Sequence, residues 1–205
     1  MSGLWLAKAP LVVASKSGAR QALLRAAGIP FDIIAAAIDE RMVDAPLRGE
    51  GAPATAIAAH LARAKALAVS AHVPSRLVVG ADQVLALGSE IFTKPESPGA
   101  AKAQLAKFSG WTHALQSAVC VARDGAILFE AVSTAKMTCR GLSPEFIDRY
   151  IVSAGDAVLT SVGGYQVEGL GVHLFEKIDG DQATILGLPL LPLLAFLREE
   201  GSLAA

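Results

Sequence analysis

The stretch RLVVGADQVLAL, Arg76 to Leu87, constrains the fold more than any other part of the chain. It is apolar on both sides of Gly80, Asp82 and Gln83, which predicts a central strand carrying an acid in its middle or at a bulge. A carboxylate set between Val78-Val79 and Val84-Leu85 is expensive to bury. It must be paired, hold a metal or face a cleft.

Other elements fall around this strand. Leu11 to Ala14 reads as a buried strand that empties into Ser15, Ser17, Gly18 and Arg20, a mixture suited to an anion. Ser15 and Ser17 serve equally well as ordinary helix caps. Arg20 to Ala27 has helical spacing and stops at Gly28, and Phe31 to Ile34 reads as a short strand leading to Asp39 and Glu40. Ala54 to Ser70 is a helix, with Ile57, Leu61, Ala64 and Ala68 as its apolar stripe and Lys65 at the stripe's edge. Pro98 to Phe108 predicts another helix. Ala114 to Arg123 and Ala126 to Arg140 flank Asp124-Gly125, a hairpin signal. Ser143-Pro144-Glu145 opens a helix closed by Gly155, Val172 to Ile178 reads as a strand, and a last helix lies within Leu188 to Glu200. The irregular alternation predicts an α/β fold with a mixed sheet.

Composition removes several functional classes. The 205 residues are 53% hydrophobic, enough for one well-buried domain, yet no apolar run reaches the roughly 18 residues of a spanning helix. Lys8 and Pro10 interrupt the apolar start, so no export signal is read and a cytoplasmic, membrane-free protein is expected. The net charge of −1 argues against a nucleic-acid polymer as partner. Cys120 and Cys139 lack CxxC spacing and read as reduced, buried fillers.

Familiar catalytic motifs are absent: there is no GxxxxGK[ST] loop, HExxH or GxSxG, and GLGVHL lacks the third glycine of a dinucleotide fingerprint. What remains is a set of charged residues at the ends of apolar elements: Arg20, Glu40, Lys65, Asp82 and Lys94. Taken singly, the lysines and Glu40 read as solvated surface groups and Arg20 as the start of a helix, with Asp82 the exception. Together, two carboxylates and three cations suit a divalent metal and a polyphosphate.

The blocks LVVASKSGARQALLRAAGIPFDIIAAAIDE, ARAKALAV, LVVGADQVLALGSEIFTKP, FSGWTHALQSAV and GGYQVEGLGVHLFEKIDGD, followed by ILGLPL, closely resemble in this order those of the Maf family of nucleoside triphosphate pyrophosphatases. The resemblance spans nearly the whole chain. It implies a single Maf-like domain over residues 1–205, of the Maf/ITPase type, with an elongated mixed sheet, flanking helices and two lobes around a central cleft. It also implies a homodimer and hydrolysis of a nucleoside triphosphate to monophosphate and pyrophosphate with Mg²⁺ or Mn²⁺.

Carried over by motif, Ser15 and Arg20 of SKSGAR meet the phosphates, Lys65 of ARAKA faces the triphosphate, and Lys94 of TKP is a further phosphate ligand. Glu40 of IDE and Asp82 of GADQV hold the metal, and Asp82 is the general base. Gly18 and Ala19 stand where the family pattern has a proline and a first arginine, so only Arg20 survives of that arginine pair. Base specificity falls to Ala19, Gln83 and Glu168. The last two match the branch that resembles 7-methyl-GTP enzymes, since a carboxylate accepts the paired N1–H and N2–H donors of guanine. A dTTP or UTP pyrophosphatase is the alternative, as is a nucleotide-binding regulatory protein with little turnover.

Overall fold

The computed structural model describes residues 3–205. The elements are β1 (Leu11–Val13), α1 (Gly18–Ala26), β2 (Phe31–Ile33), α2 (Glu40–Gly49), α3 (Ala54–Ser70), β3 (Val78–Leu87), β4 (Glu90–Phe92) and α4 (Pro98–Phe108). There follow β5 (Thr112–Arg123), β6 (Ala126–Cys139), α5 (Pro144–Ala154), β7 (Phe175–Asp179), α6 (Gln182–Ile185) and α7 (Leu190–Glu199). The strands form one mixed sheet in the order β2-β1-β3-β5-β6-β7, with β4 also paired to β3. β1 runs parallel to β2 and β3, while the β3–β4 and β6–β7 pairs are antiparallel. Among the described residues, no helix is long and apolar enough to cross a membrane.

The chain divides into two compact units. One comprises the chain up to Gln83 with Ser117–Ser133 and Gln182–Ala205; the other comprises Val84–Gln116 and Thr134–Asp181. In the first unit β1 and the part of β3 up to Asp82 are buried on both faces, as an apolar central strand requires, whereas β2 at the sheet's edge is exposed at Asp32 and Ile33. Leu11, Val13, Val79, Ala81, Val119 and Val121 pack on one face with Leu24 of α1 and Leu193 and Leu197 of α7. Val12, Ala14 and Val78 pack on the other against Val69 of α3. Each such Val or Leu side chain contributes about 1.5–3 kcal/mol when fully buried. The second unit is built around an aromatic group in which Phe108 stacks on His113, and His113 Nε2 meets the Tyr165 hydroxyl at 2.6 Å. Burial lowers the His113 pKa to about 4, so this ring is neutral at pH 7.

Several readings needed correction. Glu40, read only as following the Phe31 to Ile34 strand, opens a helix that the sequence reading lacked, α2, capped by Asp39, whose Oδ1 accepts the amides of Arg41 and Met42. Val172 to Leu174, read as the start of a strand, belong to a 3₁₀ turn over 170–174, and β7 begins only at Phe175. The turn wins locally because the Gly169 and Gly171 amides both donate to the Gln166 carbonyl and the Val172 amide donates to the Gly169 carbonyl. α1 begins at Gly18 rather than Arg20, with Ser17 as its cap. The bounds read for α3 and α4 coincide with those observed. Cys120 and Cys139 are free and buried, and burial pushes both thiols up to about 12, so neither is a thiolate at neutral pH.

The tightest junction in the first unit is between β3 and α3. Ala58, Ala62 and Ala66, four residues apart, put three fully buried methyl groups on one helix face. Opposite them is Gly80. A Cβ there would lie 2.2 Å from the Ala62 carbonyl oxygen, 2.6 Å from the Ala66 amide nitrogen and 2.9 Å from the Ala66 Cβ. Only glycine lets the two backbones come this close. Gly80→Ala is therefore expected to destabilise the fold by about 1–3 kcal/mol or more, as forced overpacking does. Chemical denaturation measures it, and an unchanged midpoint and slope would contradict the close-packing account.

Candidate active site

Strand alternation carries the close contact at Gly80 to the site. Val78, Gly80 and Asp82 share the face toward α3, whereas Val79 and Ala81 share the other. Asp82 thus points at the helix that Gly80 has admitted, and Lys65 of α3 meets it. Lys65 Nζ lies 2.6 Å from Asp82 Oδ1 and 2.9 Å from Glu40 Oε1. Lys65 and Asp82 are buried, and Glu40, the first residue of α2, is exposed. The acid in the middle of β3 is thereby paired, one of the three outcomes its position allows.

Arg20 completes the cluster. Its Nε donates to the Gly187 carbonyl at 2.8 Å, and its Nη1 donates to the Ala81 carbonyl at 2.9 Å and to Ser15 Oγ at 3.2 Å. Ser15 Oγ also accepts the Ser17 amide at 3.2 Å, which shapes the turn between β1 and α1. Ser17 caps α1, so the cap reading is right for Ser17, while Ser15 is tied to Arg20.

Electrostatics follow from this burial. Desolvation raises the Asp82 pKa above its ordinary value, and Lys65, Arg20 and the Lys65 hydrogen bond act against that rise. Desolvation lowers the Arg20 pKa, opposed by the charges of Asp82 and Glu40. A guanidinium remains a cation even so. The cluster is a short-range array of alternating charge, with Glu40 and Asp82 flanking Lys65 and Arg20 near both acids.

The remaining site residues read from the sequence have settings of their own. Gln83 is next to Asp82, but its Nε2 is held by the Thr184 carbonyl at 3.1 Å, the Ile185 carbonyl at 2.9 Å and Ser117 Oγ at 3.0 Å. Only the nitrogen side of the amide can face two carbonyls, so its Oε1 is left as the acceptor. Ala19 is half-buried in the first turn of α1, and a Cβ added at Gly18 would meet open space. Lys94 and Glu168 belong to the second unit and are exposed, Lys94 in the link from β4 to α4 and Glu168 in the turn closed on the Gln166 carbonyl. The sequence did not reveal Ala81 and Gly187 as site residues. Both act through main-chain carbonyls, and although both lie in quoted blocks, GADQV and ILGLPL, neither block gives them a role.

The donor set bears on a divalent cation. No group of three or more His, Cys, Asp or Glu side chains suited to a metal occurs among the described residues. Glu40 and Asp82 nevertheless place two hard carboxylates around one ammonium, and no described protein donor other than Lys65 bonds Asp82. Mg²⁺ typically takes only one or two protein carboxylates, with water and substrate phosphates completing its shell, so these residues fit such an ion.

The model of the Maf-like protein family matches residues 10–200. A nucleoside triphosphate pyrophosphatase of Rhodopseudomonas palustris (strain BisB18) is 56% identical over 201 residues, 98% of each chain. A 7-methyl-GTP pyrophosphatase of Brucella suis is 58% identical over 190 residues, 93% of this chain and 96% of the relative. A nucleoside triphosphate pyrophosphatase of Nitrobacter winogradskyi is 51% identical over 198 residues, 96% of each. With the family match covering residues 10–200 and relatives more than half identical along almost the whole chain, the chain belongs to the Maf-like protein family.

Proposed function

We propose that this protein hydrolyses a nucleoside triphosphate to the monophosphate and pyrophosphate, with 7-methyl-GTP as the preferred substrate. The observation that carries the proposal is the Lys65 ammonium held between Asp82 and Glu40 beside an immobilised Arg20. Such a cluster supplies fixed cations for a polyphosphate and carboxylate oxygens for a hard metal ion. Relatives sharing more than half of their residues with this chain carry pyrophosphatase names, which supports the same reading.

In this mechanism Asp82 takes a proton from the water that attacks the α-phosphorus. Burial has raised its proton affinity above that of an ordinary carboxylate, which suits a base working nearer neutrality. Lys65 and Arg20 accept the negative charge that moves onto the departing pyrophosphate, in a site where little solvent competes. Glu40 and Asp82 would hold Mg²⁺ or Mn²⁺, which would supply Lewis-acid activation of water and offset phosphate charge. Lys94 is a further phosphate ligand by its TKP motif. The acid side chain of Glu168, exposed on its turn, accepts the guanine N1–H and N2–H pair and favours the positive ring that 7-methylation creates. Ala19 and the free Oε1 of Gln83 belong to the same assignment of base preference. A homodimer in the cytoplasm completes the proposal.

Two predictions test the chemistry. The first is Asp82→Asn, which keeps the volume but cannot take the proton and should lower kcat/KM by about 10²- to 10⁴-fold. Melting temperature is measured on the same samples, and a folded variant of native activity would sink the assignment. The pH dependence has a definite sign. As pH falls through the raised pKa of Asp82 the base is protonated, so activity is present above that pKa and lost below it. The acid limb of kcat/KM should therefore lie above the ordinary carboxylate value of about 4, and a limb at or below it would contradict the burial argument.

The second concerns products and base. Native protein with Mg²⁺ is incubated with 7-methyl-GTP, UTP and dTTP, and both phosphate products are quantified. Equimolar pyrophosphate and monophosphate are expected, fastest from 7-methyl-GTP, with the preference reduced in Glu168→Gln. Orthophosphate as the product, or no turnover, would overturn the reaction, and a native preference for the pyrimidines would overturn the base assignment.

A further inference from the structure

The Arg20 guanidinium is held unusually completely for a group that meets a substrate. Its Nε–H goes to the Gly187 carbonyl, and its two Nη1 hydrogens go to the Ala81 carbonyl and Ser15 Oγ. An arginine has five such N–H donors, so three are consumed by the protein and both of those on Nη2 are left over. Among the described residues no hydrogen bond engages Nη2. The two carbonyls come from distant parts of the chain, one on β3 immediately before Asp82 and the other just beyond α6.

Gly187 is itself built for this contact. Its φ is +93°, a conformation L side chains rarely adopt. A Cβ there would lie 3.2 Å from Arg20 Nη2 and 3.3 Å from Arg20 Nε, so the guanidinium rests on the glycine where a side chain would stand. The segment around it is pinned by the neighbour of Asp82: Gln83 Nε2 reaches the Thr184 and Ile185 carbonyls, and Ser117 Oγ donates to that of Thr184 at 2.7 Å. The Gly187 and Leu188 amides then close back onto the Thr184 and Ala183 carbonyls. Ala81, Asp82 and Gln83 thus have three linked tasks. Ala81 holds one side of Arg20, Asp82 holds Lys65, and Gln83 fixes the segment that holds the other side of Arg20.

We propose that Gly187 is a positioning residue whose carbonyl, backed by the Gln83 clamp, locks Arg20 so that Nη2 alone is presented to the substrate's phosphates. The proposal rests on the triphosphate reading above for what Nη2 meets, and on the structure alone for the lock. It also gives Gln83 a task at the phosphate end of the substrate, independent of the base.

The test is a double-mutant cycle on the triphosphate turned over fastest by the native protein. Gly187→Ala should lower kcat/KM by about 10- to 100-fold, the scale of a small misplacement of a catalytic group. In an Arg20→Ala background the same substitution should change kcat/KM by less than about twofold, because the group it acts through is gone. Losses that multiply in the double variant would overturn the proposal, since a merely structural glycine costs the same in either background. Native kinetics in Gly187→Ala would overturn it too. A second measurement needs neither turnover nor that variant. The Arg20 Nε–H resonance of the native protein, identified by its loss in Arg20→Lys, should be protected from solvent exchange, and free exchange would overturn the lock. If the native protein hydrolyses no triphosphate, the proposed function falls, and this resonance alone decides whether Arg20 is held.

Discussion

The buried contact between Lys65 and Asp82 is the interaction on which the rest of the site depends, and it exists because a glycine stands two residues earlier on the same face of β3. Pairing two charges out of water is costly, and their attraction offsets that cost only when the geometry is held. Here it is held by backbone packing. The Ala58, Ala62 and Ala66 face of α3 lies against Gly80, and the register of the strand then fixes where Asp82 points. Removing Lys65 alone would leave the buried Asp82 carboxylate without its bonded partner, with only the Arg20 charge to offset its burial.

A second layer organises the cations. Lys65 is flexible by nature, with four rotatable carbons, and is fixed by two carboxylates on different elements, Glu40 on α2 and Asp82 on β3. Arg20 is planar and is fixed by main-chain carbonyls, which cannot titrate or change rotamer. One cation is therefore held by groups that can exchange it for another cation, and the other by groups that cannot. Under the proposed function, this division would let the carboxylates around Lys65 also meet a metal ion while Arg20 stays in place.

Much of this was legible in the sequence, for identifiable reasons. The helix Ala54–Ser70 and the strand Val78–Leu87 are long and apolar, so periodicity located them, and Asp82 stood out because an acid in an apolar run requires a partner. The identity of that partner was not legible from periodicity, since Lys65 looks like any lysine at the edge of a helical stripe. The helix Glu40–Gly49 was missed because Pro46 interrupts its interior and its first turn follows directly on an apolar run. Val172 to Leu174 was read as strand because apolar residues in a short run carry no mark of the carbonyl at Gln166 that turns them. Gly187 was invisible as a site residue, because a carbonyl belongs to every residue and only the fold decides which one faces an arginine.

The central claim is that burial makes Asp82 a stronger proton acceptor than an ordinary carboxylate while Lys65 restrains that shift. It is tested most directly by following the carboxyl carbon of Asp82 by NMR through a pH titration, in the native protein and in Lys65→Met. The account predicts a native midpoint above the ordinary value of about 4 and a further rise when the ammonium is removed. A native midpoint at or below the ordinary value, or one that Lys65→Met leaves unmoved, would contradict it.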